Sequence, residues 1–190
     1  MIFIANYWTD SSTTNVTIYT NCDQVELRLN GQLIENGGKE TNENTAHLIR
    51  PPFIFAIEQF TPGRLEAIGF IKGKSVVRTH RLTPNKLADH LEIKVDLSEK
   101  SVTTNDVVFV YAYIYDANNT LLSQANDLVQ FSCFQQVLLI GQNPVHAENG
   151  IASILLRTNS IMSEKQVTIE AFSSTVKKQR TSFVIEIFSE

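Results

Sequence analysis

Paired carboxylates are the first chemistry to look for, because two of them held across a cleft can hydrolyse a glycosidic bond. Glu26, Glu66 and Glu92 each stand between apolar residues, as in Val25-Glu26-Leu27. That alternation turns them to the wet face of a strand, where water keeps a carboxylate ordinary. The four histidines are His47, His80, His90 and His146, and none is spaced as a metal pair on one element. No H-E-x-x-H, G-x-S-x-G or G-x-G-x-x-G occurs. Gly37-Gly38-Lys39 lacks the strand and helix of a phosphate loop and reads as a flexible loop. Cys22 and Cys133 are too few for a zinc site. They are expected in separate modules, unbridged, each a buried free thiol. No catalytic, cofactor-binding or metal-binding residue is therefore assigned.

Aromatic side chains offer a second chemistry, the stacking of sugar rings. Tyr7-Trp8 is a pair that includes the sole tryptophan, and Tyr111, Tyr113 and Tyr115 share one face of a strand. Tyr7 and Trp8 are the candidate sugar-stacking or interface residues. The plainer reading packs the tyrosines across strands and sets Trp8 as a plug at a domain edge. Two sequons, at Asn15 and Asn118, matter only in a host that glycosylates.

The elements that must position these residues are strands. The chain has 190 residues, 43% of them hydrophobic, and Val, Ile and Thr make up about a quarter of it. Val25, Leu27 and Leu29 alternate with polar neighbours, and Asn30-Gly31 then signals a two-residue hairpin with Gln32-Leu33-Ile34 returning. Further strands are expected over 15–20, 64–71, 75–82, 91–95, 107–115, 128–134, 137–140, 150–157, 166–172 and 181–188. Residues 35–50 read as a long loop. Met1 to Trp8 lacks the basic and apolar regions of a signal peptide and reads as a first strand, as in an excised piece behind a start codon. Strand spacing of this kind means sandwiches. The pattern breaks at Leu82-Thr83-Pro84-Asn85, which divides the chain into 1–83 and 84–190.

Charge is mildly negative, with 16 basic against 20 acidic residues. That balance leaves no footprint for nucleic acid or a polybasic membrane contact. No apolar run reaches the roughly 18 residues of a membrane span.

One stretch carries a family likeness. Val16 to Gly31 reads V-T-I-Y-T-N-C-D-Q-V-E-L-R-L-N-G. It resembles the V-x-V-Y-S-N-x-D-x-V-E-L-x-L-N-G segment in the C-terminal region of family-2 glycoside hydrolases, the β-galactosidase-like enzymes. Tyr19, Asn21, Asp23, Val25, Glu26, Leu27, Leu29, Asn30 and Gly31 carry the match. Pro62 to Gly69 is similar to the family's P-G-x-L-x-A-x-G strand, and Asp106 to Asn119 to the next module's D-x-x-x-V-x-V-x-V-x-D-A-x-G-N hairpin. Two positions depart from the pattern: Tyr7 precedes Trp8 where His is common, and Thr120 follows Asn119.

The resemblance implies an all-β chain of two tandem immunoglobulin-like or fibronectin-III-like β-sandwich domains. They would be non-catalytic accessory modules that pack on the catalytic barrel, extend its cleft or support oligomerisation. The barrel's glutamates have no counterpart here, so the chain alone is expected to be inactive and to need no cofactor. The implied partner is the catalytic domain of the parent enzyme, with carbohydrate as a further ligand, and the implied setting is periplasmic or extracellular. A stand-alone carbohydrate-binding or adhesin-type module is the alternative. Neither nucleic acid binding nor membrane insertion is expected.

Overall fold

Asn30 and Gly31 both take positive φ, 51° and 85°, as a tight hairpin turn requires. The turn joins Gln24–Leu29 (β3) to Gln32–Ile34 (β4), with Leu27 opposite Ile34. Lys72-Gly73 does the same between Arg64–Ile71 (β7) and Lys74–Leu82 (β8). These hairpins build one antiparallel sheet in the order β4-β3-β7-β8. A second sheet holds Ile2–Ile4 (β1), Asn15–Thr20 (β2), Gly37–Lys39 (β5) and Phe53–Ala56 (β6), in the order β1-β2-β6-β5. The chain is all-β, a tandem of β-sandwiches, in this computed structural model, which describes residues 1–10, 14–97, 101–133, 137–159 and 166–188.

Contacts divide the chain into two compact units, Met1–Pro84 and Asn85–Glu190. The first has its own core, with Ile4, Trp8, Val16, Ile18, Leu27 and Leu65 fully enclosed. In the second unit the strands are His90–Val95 (β9), Val102–Thr103 (β10), Val107–Tyr115 (β11), Leu128–Cys133 (β12) and Val137–Ile140 (β13). Val145–His146 (β14), Ile151–Thr158 (β15), Gln166–Phe172 (β16) and Arg180–Phe188 (β17) complete it. One sheet runs β10-β17-β16-β12-β14 and the other β13-β15-β11-β9. Between them lies a separate core that includes Val110, Ile114, Phe131, Leu156 and Ile169.

The stretches 37–39 and 53–56 differ from the expectations. The stretch 35–50 is not one loop, because Gly37, Gly38 and Lys39 pair antiparallel with Phe55, Ile54 and Phe53. The backbone comes so close that a Cβ on Gly37 would stand 2.3 Å from the Phe55 ring. The glycine thus serves strand packing rather than a flexible phosphate loop. Phe53–Ala56, directly after Pro51-Pro52, is a strand between β2 and β5 that periodicity did not expose. Of the strand expected over 128–134, residues 128–133 form β12 and Phe134 lies outside the described residues. Among the described residues, no helix is long and apolar enough to cross a membrane.

Candidate functional site

Trp8, one of the two candidate stacking residues, is 1% exposed. Its indole Nε1 donates to the Thr61 carbonyl at 3.0 Å, and its ring meets Phe60 at 5.0 Å between centroids, tilted by 51°. A ring enclosed this way has no face left for a sugar. Burial of a large apolar surface, with its one donor satisfied, accounts for the position. Tyr7, next to it, is 46% exposed. The structure therefore separates the pair that sequence joined: Trp8 is core and Tyr7 is surface.

The strand tyrosines form the main surface feature. Alternation along β11 sends Val110, Ala112 and Ile114 into the core and Val107, Phe109, Tyr111, Tyr113 and Tyr115 outward. Successive ring centroids are 5.8 Å apart from Phe109 to Tyr111, 6.4 Å from Tyr111 to Tyr113 and 6.2 Å from Tyr113 to Tyr115. The His90 ring, across the strand on β9, continues the row 5.6 Å from Tyr115. The Lys94 ammonium lies over Tyr113 at 4.7 Å and over Tyr115 at 5.8 Å, and donates to the Tyr115 hydroxyl at 3.3 Å. Partial burial pulls the Lys94 pKa down, but the Tyr115 hydroxyl and Glu92 outweigh it, so the value sits above the ordinary one. A cation over aromatic faces is favourable and holds this end of the row in place. Sequence reading had the shared tyrosine face but not Phe109, His90 or Lys94, which only cross-strand register brings in.

Polar clusters elsewhere look structural. Glu26 bonds Arg28 at 2.9 Å, Glu66 bonds Arg64 at 3.0 Å, and Glu92 approaches Lys94 at 3.7 Å. All three are the wet-face carboxylates that alternation indicated. Asp89 is drawn into a tight cationic group. It accepts from Lys178 at 2.8 Å, meets His90 Nδ1 at 3.1 Å, and has Lys177 at 3.8 Å. The Lys178 hydrogen bond holds its carboxyl below the ordinary value against the upward pull of burial, and His90 adds to the lowering. A glycosidase acid needs the opposite shift. Backbone bonds from Lys178 N to Asp89 O and from Lys177 N to Ala88 O run beside the ion pair, so the cluster ties the start of β9 to the turn before β17. The turn carboxylates bind backbone: Asp116 accepts from the N–H groups of Asn118, Thr120 and Asn85.

Cys22 and Cys133 are both free thiols, the first buried and the second half-buried. Burial pushes the Cys133 pKa up, away from a reactive thiolate. Among the described residues, no group of three His, Cys, Asp or Glu side chains is placed to hold a metal.

Comparison with known proteins adds the family context. A family model described as "Domain of unknown function (DUF4982)" matches residues 11–77. A β-galactosidase of Thermoanaerobacter pseudethanolicus is 27% identical in an alignment of 170 positions that covers 83% of this chain and 23% of that enzyme. A β-glycosidase from Bacteroides vulgatus superposes with a TM-score of 0.74 at 22% identity, over 98% of this chain and 24% of its own. A β-glucuronidase from glycoside hydrolase family 2 superposes with a TM-score of 0.73 at 19% identity, over 100% of this chain and 20% of its own. The solved structures at this identity speak for the fold, and the β-galactosidase match speaks for sequence kinship. The likeness to the C-terminal sandwich region of β-galactosidase-like family-2 glycoside hydrolases, read from the motifs, is borne out. The chain spans about a quarter of the length of the curated relative it matches.

Proposed function

We propose that this chain is a non-catalytic accessory region of a β-galactosidase-like family-2 glycoside hydrolase, made of two immunoglobulin-like modules spanning 1–83 and 84–190. In this reading it packs on the catalytic barrel, extends a wall of its cleft or supports oligomerisation. The observation that carries it is the match over 83% of this chain to 23% of a β-galactosidase. Such a share suits an appended region. The arrangement of side chains supports the same reading: the strand carboxylates Glu26, Glu66 and Glu92 are each paired with an arginine or lysine on their own strand.

A free-standing carbohydrate-binding module is the second reading, and the row from Phe109 to Tyr115 is what favours it. The two part on one experiment. The chain alone and the complete reading frame of its gene are assayed on chromogenic galactosides, glucuronides and mannosides. The accessory reading expects the chain to match a buffer blank and the complete frame to turn over at least one substrate. A complete frame that holds no more than these two modules, and a chain that retains oligosaccharide, would favour the second reading. Turnover by the chain itself, lost on mutating a single Glu or Asp, would overturn both.

A further inference from the structure

The outward side chains of the β13-β15-β11-β9 sheet form rows across its strands. Ile140, Leu155 and Phe109 stand side by side, and Leu138, Arg157 and Val107 make the next row. Leu138 is 55% exposed, Val107 53% and Phe109 47%. An outward sheet face in water is expected to carry polar residues. Contiguous apolar area of this kind marks an interaction surface. Ser153, Lys94 and Glu92 border it along the strands, and Arg157 stands within it, between Leu138 and Val107, bonded to Asn105 at 3.1 Å. Apolar side chains with polar groups at and among them are usual in a protein–protein contact.

We infer that this face docks the catalytic part of the same polypeptide. The inference rests on the accessory-region reading and adds to it which surface makes the contact. The length of chain outside this region supplies the occupant: the matched region is 23% of the β-galactosidase, so more than three quarters of such a polypeptide lies elsewhere. Sugar is the poorer fit. The Lys94 ammonium already covers Tyr113 and Tyr115, and the most exposed members, Leu138 and Val107, have no ring to stack on. Aliphatic side chains are instead well matched by the apolar side chains of another protein surface.

The test compares the 190-residue chain with the product of its complete reading frame, both labelled by hydroxyl radicals and read by mass spectrometry. Phe109, Tyr111, Leu138 and Ile140 should be labelled in the chain and protected in the complete product. Arg78 and His80, on the other unit's charged sheet, serve as an internal comparison. Labelling of the apolar face that is equal in both would overturn the docking inference while leaving the accessory reading intact. A reading frame with no catalytic-sized segment would remove the accessory reading and the docking with it. Protection that appears in the chain alone as its concentration rises would assign the face to a second copy. Protection of the chain by added galacto-oligosaccharide would assign it to sugar. Either result overturns the inference. Leu138→Ser should leave the melting temperature of the chain nearly unchanged, and Phe109→Ser, which also gives up the ring contact with Tyr111, should lower it by a few degrees without unfolding the unit. In the complete product they should restore labelling of their neighbours on the face, and continued protection there would count against docking.

Discussion

Two four-stranded sheets, one in each unit, turn outer faces of opposite character. In β4-β3-β7-β8 the outward rows include Leu33–Arg28–Glu66–His80 and Glu26–Ile68–Arg78, with Arg28 bonded to Glu26 and Arg64 to Glu66. In β13-β15-β11-β9 the corresponding rows are Ile140–Leu155–Phe109 and Ser153–Tyr111–Lys94. The inner faces do not differ in kind. Leu27, Leu65 and Ala67 close one core as Val110, Ala112 and Ile114 close the other. Folding therefore constrains only the inner positions of each strand. The outer positions are left free to differ, and in these two sheets they do.

If the inner faces carry the stability, core loss should dwarf any change on either outer face. Trp8→Ala should destabilise the first unit by about 3–5 kcal/mol, read by circular dichroism in a denaturant titration. A loss as small as a surface substitution's would break the comparison at its base. Next in size comes the Asp89 cluster, the ionic tie in the second unit. Its carboxyl has a folded pKa below the unfolded value of about 3.9. The stabilisation is thus fully present above that value and is lost as pH falls through the lower, folded one. Melts of the second unit should drop below about pH 4, and Lys178→Ala should flatten that drop. An unchanged acid limb in the variant would remove the tie from the argument.

The outer faces come last. Phe109→Ala gives up a ring contact with Tyr111 and should cost about 0.5–1.5 kcal/mol, measured by thermal melting of the chain. Arg28→Ala breaks an ion pair that solvent screens and should cost about 0–1 kcal/mol. A large penalty at Phe109 would make the aromatic face a structural part of its own unit. A large penalty at Arg28 would show that the charged face is more than a solvated one.

Much of the fold could be read in advance where a segment reports on itself. Strands 107–115, 137–140 and 166–172 have the expected limits, and Asn30-Gly31 reverses the chain where that dipeptide should. Residues 37–39 and 53–56 were misread or missed because their signal is not local. Two glycines have no side-chain period, and four residues after Pro51-Pro52 offer too few alternations to count. Residues 37–39 are a strand because 53–56 lie beside them, and 53–56 because they stand between 37–39 and β2. The candidate site divides the same way: the tyrosines at alternate positions were visible along one strand, while Lys94 and His90 reach them only through the β9 register.

Sequence by itself determined the class of fold, most of its strands and a likeness to one region of a glycosidase family, because period-two alternation, turn dipeptides and motif order are properties of contiguous residues. Tertiary structure decided which aromatic residues face water. Tyr7 and Trp8 are neighbours of similar chemistry, yet Trp8 is enclosed beside Phe60 and Thr61, more than fifty residues away in the chain. Tertiary structure also decided that Phe109 and Ile140, on β11 and β13, share a surface through Leu155 of β15 between them. Burial and cross-strand register are set by distant partners, and no short stretch of sequence carries them.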